Sequence, residues 1–168
     1  MPVSGPVIVC SNHRSNYDPV ILGASLSRDL NFMAKAELFK IPLFKGLITA
    51  FGAFPVQRGK GDAEASRTAV HILEEGNVLA MFPEGHRQKS GSGLQRFQKG
   101  TARFAYKAHA PVLPVAIVTK GRVRPFKRNA LRVGTMIPYE ELGFTDGSAE
   151  NLASVSTFIR SRVEALLK

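Results

Sequence analysis

Apolar residues along this chain fall in short runs of strand length that alternate with stretches of helical spacing, a pattern that predicts an α/β domain. The run PVIVC (6–10) reads as the first strand. Pro19 followed by VILGASL opens the first helix, because proline suits the first helical position and disfavours helical geometry at the residue before it. NFMAK (31–35) is the second strand candidate, 42–50 a short helix and FPVQ (54–57) the third strand. Asp62 stands as a cap before AEASRTAVHILEE, where Ala65, Ala69, Ile72 and Leu73 keep helical spacing until Gly76. NVLAMFP (77–83) is a buried-strand candidate, 99–108 a helix and VLPVAIV (112–118) a strand. LRVGTMI (131–137) is a further β-branched and apolar stretch. The last helix runs from about Glu150 to Leu167, with Leu152, Val155, Ile159, Val163 and Leu166 on one stripe. The expected architecture is a single domain over 1–168, a mixed and largely parallel sheet flanked by helices.

Three polar residues follow three of these strands: His13 after the first, Arg58 after the third and Glu84 after the fourth. In open α/β sheets ligands gather at the carboxyl ends of strands, so one shared crevice is expected there. His13 has a natural partner in Asp18. An imidazole suits proton transfer near neutral pH, and a carboxylate on its other ring nitrogen turns it into a directed base. Fully extended, the five intervening steps would separate the two groups by roughly 16 Å, and an ideal helix would turn them to different faces. They meet only across a turn. The same two residues also read as a helix cap beside an ordinary loop histidine.

Charge narrows the choice of partners. Lys and Arg outnumber Asp and Glu by 23 to 13 over 168 residues, a net +10 that favours phosphorylated small molecules, acidic proteins, anionic membranes or nucleic acid. Cys10 is the single cysteine, which excludes an intrachain disulfide and a cysteine-based zinc site and fits a reducing compartment. No signal-peptide pattern is present, and no run approaches the roughly 20 apolar residues that span a bilayer. A soluble domain, or one bound to a membrane face, is expected. LFKIPLFKGLITAF (38–51) carries Phe39, Ile41, Leu43, Phe44, Leu47 and Ile48 with Lys40 and Lys45. Its two readings are an inward-facing amphipathic segment and a wall that meets lipid or lines an acyl tunnel. KGRVRPFKR (120–128) reads either as a receiver of anionic headgroups or an acidic carrier protein, or as a solvated loop.

Four segments in order, NHRSNYD (12–18), GAFPVQRG (52–59), FPEGHR (82–87) and VLPVAI (112–117), together resemble the glycerolipid acyltransferase superfamily. Within it they are most similar to the 1-acyl-sn-glycerol-3-phosphate (lysophosphatidic acid) acyltransferases. The first segment fits the family's NHxxxxD pattern, and FPEG followed by Arg87 fits its third motif. The resemblance implies a glycerol-3-phosphate acyltransferase-like fold and direct acyl transfer from a thioester to a glycerol hydroxyl. His13 would be the base and Asp18 its orienting partner. Arg58 would hold the substrate phosphate, with Arg87 as a second contact, while Glu84 and Gly85 would shape the acceptor site. It implies no bound cofactor or metal, an acyl-CoA or acyl-acyl carrier protein co-substrate, a lysophospholipid acceptor, and peripheral attachment to the cytoplasmic face of a membrane. Lysophosphatidic acid is the favoured acceptor, with glycerol 3-phosphate or another lyso-lipid as runner-up. His86 departs from the Thr or Ser usual at that position, and the helical segment that often precedes the first motif is missing.

Other chemistries have less support. Cys10, three residues before His13, raises a cysteine nucleophile, yet a cysteine ending a buried strand is more often core. His13, Asp18, Glu84 and His86 include possible metal ligands but show no HExxH or other closed spacing. His71 and His109 lack motif context. A noncatalytic basic lipid- or nucleic-acid-binding domain is the alternative of another class, but no nucleic-acid recognition signature accompanies the charge, so specific nucleic-acid binding is not expected.

Overall fold

The computed structural model describes residues 1–57, 62–88, 93–119 and 130–168. Arg58 and the basic run 120–128 therefore lie outside the described residues. The elements follow in the order β1 (Val7–Ser11), α1 (Asp18–Ser25), β2 (Leu30–Lys35), a 3-10 helix (Ala36–Lys40), α2 (Pro42–Ala50) and β3 (Ala53–Val56). Next come α3 (Ala63–Glu74), β4 (Val78–Met81), α4 (Gly100–Ala108), β5 (Val112–Val118), β6 (Ala130–Val133), a second 3-10 helix (Tyr139–Leu142) and α5 (Ala149–Ala165).

The strands form one sheet in the order β3-β2-β4-β1-β5-β6. All neighbours are parallel except the β5–β6 pair, so the sheet is mixed and largely parallel, as the pattern predicts. β1 lies between β4 and β5, and every residue of it is buried, which explains why its sequence reads as an unbroken apolar run. Ile8 and Cys10 face a core shared with Leu73, Leu79, Ala105 and Ile159, from the side of α3, α4 and α5. Val7 and Val9 face the other core with Leu22 of α1, Leu30 and Leu113. Cys10 pairs with Met81 across β1 and β4. Three residues beyond each, His13 and Glu84 leave the sheet side by side.

Local chemistry sets the helix boundaries. Asp62 caps α3 as expected, accepting the Ala65 N–H at 3.0 Å, and Ser148 caps α5 by accepting the Asn151 N–H at 3.1 Å. The other Asp62 oxygen accepts the Gln57 N–H at 2.7 Å, so one carboxylate ties the chain on both sides of the segment that contains Arg58. β6 is shorter than the apolar stretch 131–137. The Gly134 N–H donates to Pro114 O at 2.9 Å, an approach so close that a Cβ there would lie 3.0 Å from the Pro114 ring. The chain then leaves the ladder and returns only as an Ile137–Val112 bridge.

The segment 38–51 turns outward. Neither the first 3-10 helix nor α2 has a buried residue, so the inward-facing reading of this run does not hold. Among the described residues no helix is long and apolar enough to cross a membrane.

Candidate functional site

The turn demanded by the His13–Asp18 spacing is present. Asn12 fixes its start: its side-chain amide donates to Ile117 O at 3.1 Å, and its carbonyl oxygen accepts the Ile117 N–H at 2.7 Å. His13 Nδ1 lies 2.8 Å from Asp18 Oδ2. The same oxygen accepts the Arg14 and Ser15 N–H groups at 2.6 and 2.8 Å. Asp18 is thus the hub of its own loop, and α1 has no side-chain cap. The helix-cap reading of Asp18 gives way to the histidine partner, because the carboxylate turns back toward residues 13–15. Pro19 lies in the first turn of α1, where its missing N–H costs nothing.

Glu84 has partners that its sequence neighbours do not reveal. Its Oε1 accepts the His13 backbone N–H at 2.7 Å and its Oε2 the Gln95 N–H at 3.1 Å. The group is 1% exposed. Each oxygen of this buried carboxylate accepts a main-chain amide, so Glu84 braces the loop that carries His13. The brace continues outward. Arg160 of α5 donates to the carbonyls of Leu94 and Gln95, and its guanidinium is held by Glu164 one helical turn on.

The next residues form a tight turn. The Gly85 N–H donates to Phe82 O at 3.0 Å, with Gly85 at φ +75. A Cβ on Gly85 would meet only the movable end of the Gln98 side chain, so it is the left-handed backbone conformation that calls for glycine. The Gln98 N–H donates to Pro83 O, and the Gln88 N–H donates to His13 O at 2.8 Å. That last bond stations exposed His86 and Arg87 beside the His13 loop.

His13 is consequently held on every side: its N–H by Glu84, its C=O by Gln88, its Nδ1 by Asp18 and its ring face by Phe82. The Phe82 ring stacks on the imidazole at 4.3 Å and 22°, and Phe32 continues the stack at 6.4 Å. With Nδ1–H donating to a carboxylate, the neutral imidazole carries its lone pair on Nε2. Phe82 also lines a cavity of about 350 Å³ together with Met33, Met81, Phe104, Gln57 and Arg103. Such an arrangement suits removal of a proton from a hydroxyl presented to Nε2.

Cys10 has no such opening. The thiol is fully buried, and burial pushes its pKa far above the ordinary thiol range, outweighing the opposing pull of the Thr101 hydroxyl, with the Glu84 carboxylate adding a lesser upward push. A thiolate nucleophile is disfavoured there. Among the described residues no group of three or more His, Cys, Asp or Glu side chains is placed to hold a metal. His71 is exposed on α3, and His109 ends α4 at φ 47 against Tyr139, so neither joins this site.

Of the residues singled out in the sequence, His13, Asp18, Glu84 and Gly85 converge, and Arg87 sits on the adjoining loop. Asn12, Phe82, Gln95 and Arg160 join them without being marked as site residues by the sequence patterns above. Asn12 and Phe82 stand inside the two motifs, which is the signal that points to them; Gln95 and Arg160 carry none.

Comparison with known proteins places the chain in a family. A family model described as Acyltransferase matches residues 1–118. A probable 1-acyl-sn-glycerol-3-phosphate acyltransferase of Mycoplasma genitalium is 35% identical over 130 residues, which cover 73% of this chain and 48% of that protein. The 1-acyl-sn-glycerol-3-phosphate acyltransferase of Bacillus subtilis is 28% identical over 166 residues, 97% of this chain and 81% of that one. Among solved structures, the 1-acyl-sn-glycerophosphate (LPA) acyltransferase PlsC from Thermotoga maritima matches with a TM-score of 0.74 and 29% identity, covering 98% of this chain and 68% of the other. The chain spans 48% and 35% of the Mycoplasma protein and a Brassica napus chloroplast relative. With the family model spanning residues 1–118 and the fold shared, the chain belongs to the acyltransferase family.

Proposed function

We propose that this domain transfers a fatty acyl group from an acyl thioester to the free hydroxyl of lysophosphatidic acid, giving phosphatidic acid. The observation that carries the reading is the His13–Asp18 pair at 2.8 Å, with Nε2 as the ring nitrogen left for substrate. His13 Nε2 takes the hydroxyl proton as the oxygen attacks the thioester carbonyl. Asp18 stabilises the imidazolium that forms. The tetrahedral intermediate collapses by breaking the carbon–sulfur bond, and the imidazolium returns its proton to the departing thiolate. No covalent acyl-enzyme is needed, in keeping with the buried, protonated Cys10. Arg58 and Arg87 hold the acceptor phosphate through charge-assisted hydrogen bonds. Glu84 and Gly85 give the acceptor site its shape, the first by fixing the His13 backbone and the second by a left-handed turn that side-chain-bearing residues rarely adopt.

The donor is acyl-CoA or acyl-acyl carrier protein, and the enzyme works peripherally at the cytoplasmic face of the membrane, where such an acceptor resides. Names of relatives in the same family favour the lysophosphatidic acid acceptor. The test pairs purified protein with lysophosphatidic acid, other lyso-lipids and glycerol 3-phosphate, using both thioester carriers and following thiol release and lipid product together. Product with lysophosphatidic acid that disappears in His13→Ala is the expected outcome. Transfer only to glycerol 3-phosphate would replace the acceptor, and unchanged thiol release in His13→Ala would overturn the mechanism.

A further inference from the structure

Ten large hydrophobic residues are exposed among the described residues, and six of them, Leu38, Ile41, Leu43, Phe44, Leu47 and Phe51, lie between 38 and 51. Apolar side chains scattered singly over a surface need no explanation, but six concentrated in one excursion do. Leu43, Leu47 and Phe51 follow one another at four-residue spacing, with Phe44 beside them, so they form a stripe along α2. Leu43 is 91% exposed, and Leu47 and Phe51 are each 53% exposed. In a globular domain a stripe of this kind normally faces the core. Here it is turned to solvent.

We propose that this stripe is the surface by which the domain docks on an anionic bilayer. The proposal rests on the lyso-lipid acceptor reading above, since that substrate lies in such a surface. Charge favours the lipid. Lys40 and Lys45 are the charged residues of 38–51, with no acid among them, and the nearest acid, Glu37, is paired with Lys35 at 3.1 Å. Apolar groups flanked by lysines match acyl chains beneath anionic headgroups. Shape favours it too. A side chain as exposed as Leu43 stands on a projecting ridge, which suits insertion into a soft planar interface better than enclosure of a single chain.

Topology sets the consequence for the substrate. The first 3-10 helix leaves the carboxyl end of β2 directly after Lys35, at the same end of the parallel strands from which His13 and Glu84 depart. It packs against β2 and β3, and α2 packs against β3. Docking through this edge brings the crevice end of the sheet to the lipid, so the acceptor's hydroxyl travels a short way to His13 while its acyl chain remains among apolar neighbours.

The test uses the purified chain in vesicle co-sedimentation, with phosphatidylcholine alone and with phosphatidylglycerol added. Binding to the anionic vesicles is expected, weakening as salt rises. Leu43→Asp with Leu47→Asp should lower that affinity by at least about tenfold, equivalent to ~1.4 kcal/mol. Lys40→Glu with Lys45→Glu should remove the preference for phosphatidylglycerol. Acyl transfer to acceptor supplied as dilute monomers should persist in both double variants, with circular dichroism and melting unchanged. Unaltered sedimentation of the Leu43/Leu47 variant would overturn the proposal. So would loss of a dimer in that variant with vesicle binding intact, which would assign the stripe to a second copy of the chain. Because sedimentation needs no acyl donor and no turnover, failure here is separate from failure of the acyltransferase reading.

Discussion

The loop after β1 and the excursion between β2 and β3 are built on opposite terms. In the first, polar groups are buried and bonded: Asn12, His13 and Asp18 are all buried, and one Asp18 oxygen gathers three donors. In the second, large apolar groups are exposed and no residue is buried. Each inverts the usual rule that apolar groups go inside and polar ones outside. The inversion has a cost in both places, but of different kinds: a buried carboxylate must be satisfied from within the chain, whereas an exposed leucine is satisfied by whatever meets it from outside.

Substitutions can break this contrast. Asp18→Asn keeps the shape of the hub and removes its charge, so acyl transfer should fall by about 10²–10⁴-fold. Steady-state rates will reveal the drop, and a rate within a few-fold of wild type would strip Asp18 of its role. Glu84→Ala leaves the buried His13 N–H and the partly buried Gln95 N–H without their acceptors. A loss of about 2–4 kcal/mol in urea unfolding is expected, with a reduced kcat, whereas Glu84→Gln should recover part of both because one carbonyl oxygen remains.

Cys10 extends the comparison to pH. Burial holds the native thiol protonated, while the unfolded chain's thiol ionises above about pH 9. Above that pH the unfolded state binds fewer protons than the native state. Stability is therefore full below the ordinary thiol value and declines as pH rises beyond it, by up to about 1.4 kcal/mol per pH unit from this group alone. Cys10→Ala should flatten that part of the decline and leave turnover largely intact. Urea unfolding of both proteins across alkaline pH provides the check, and matching slopes would exclude the thiol. Last comes Leu43→Asp. Since Leu43 packs against almost nothing, unfolding stability should change by no more than about 0.5 kcal/mol. A loss several times larger would mean that the excursion is part of the core after all.

The sequence reveals most where one physical signal dominates. The run 6–10 reads as a strand and lies within one residue of β1, and Asp62 stands one residue before the helix it caps. Ambiguity persists where one residue serves two purposes equally well, as at Asp18, where capping and orienting a histidine use the same carboxylate in the same place. Periodicity reveals that 38–51 has a stripe but not which way the stripe faces. Glu84 is hardest, because its principal partner lies 71 residues away in sequence and becomes its neighbour only through the parallel pairing of β1 with β4. The early end of β6 has a similar origin, in a contact between Gly134 and Pro114 of the adjacent strand.

The Asn12 side chain, with its donor and acceptor both on Ile117, acts as a counterfeit peptide group that prolongs the β1–β5 ladder by one rung after the main chain has turned away. Exchange of the Ile117 amide hydrogen thus has a gatekeeper that is not backbone. It can proceed only when the residue immediately before His13 lets go, so the exchange rate of a single strand amide serves as a clock for the opening of the loop that carries His13 and Asp18.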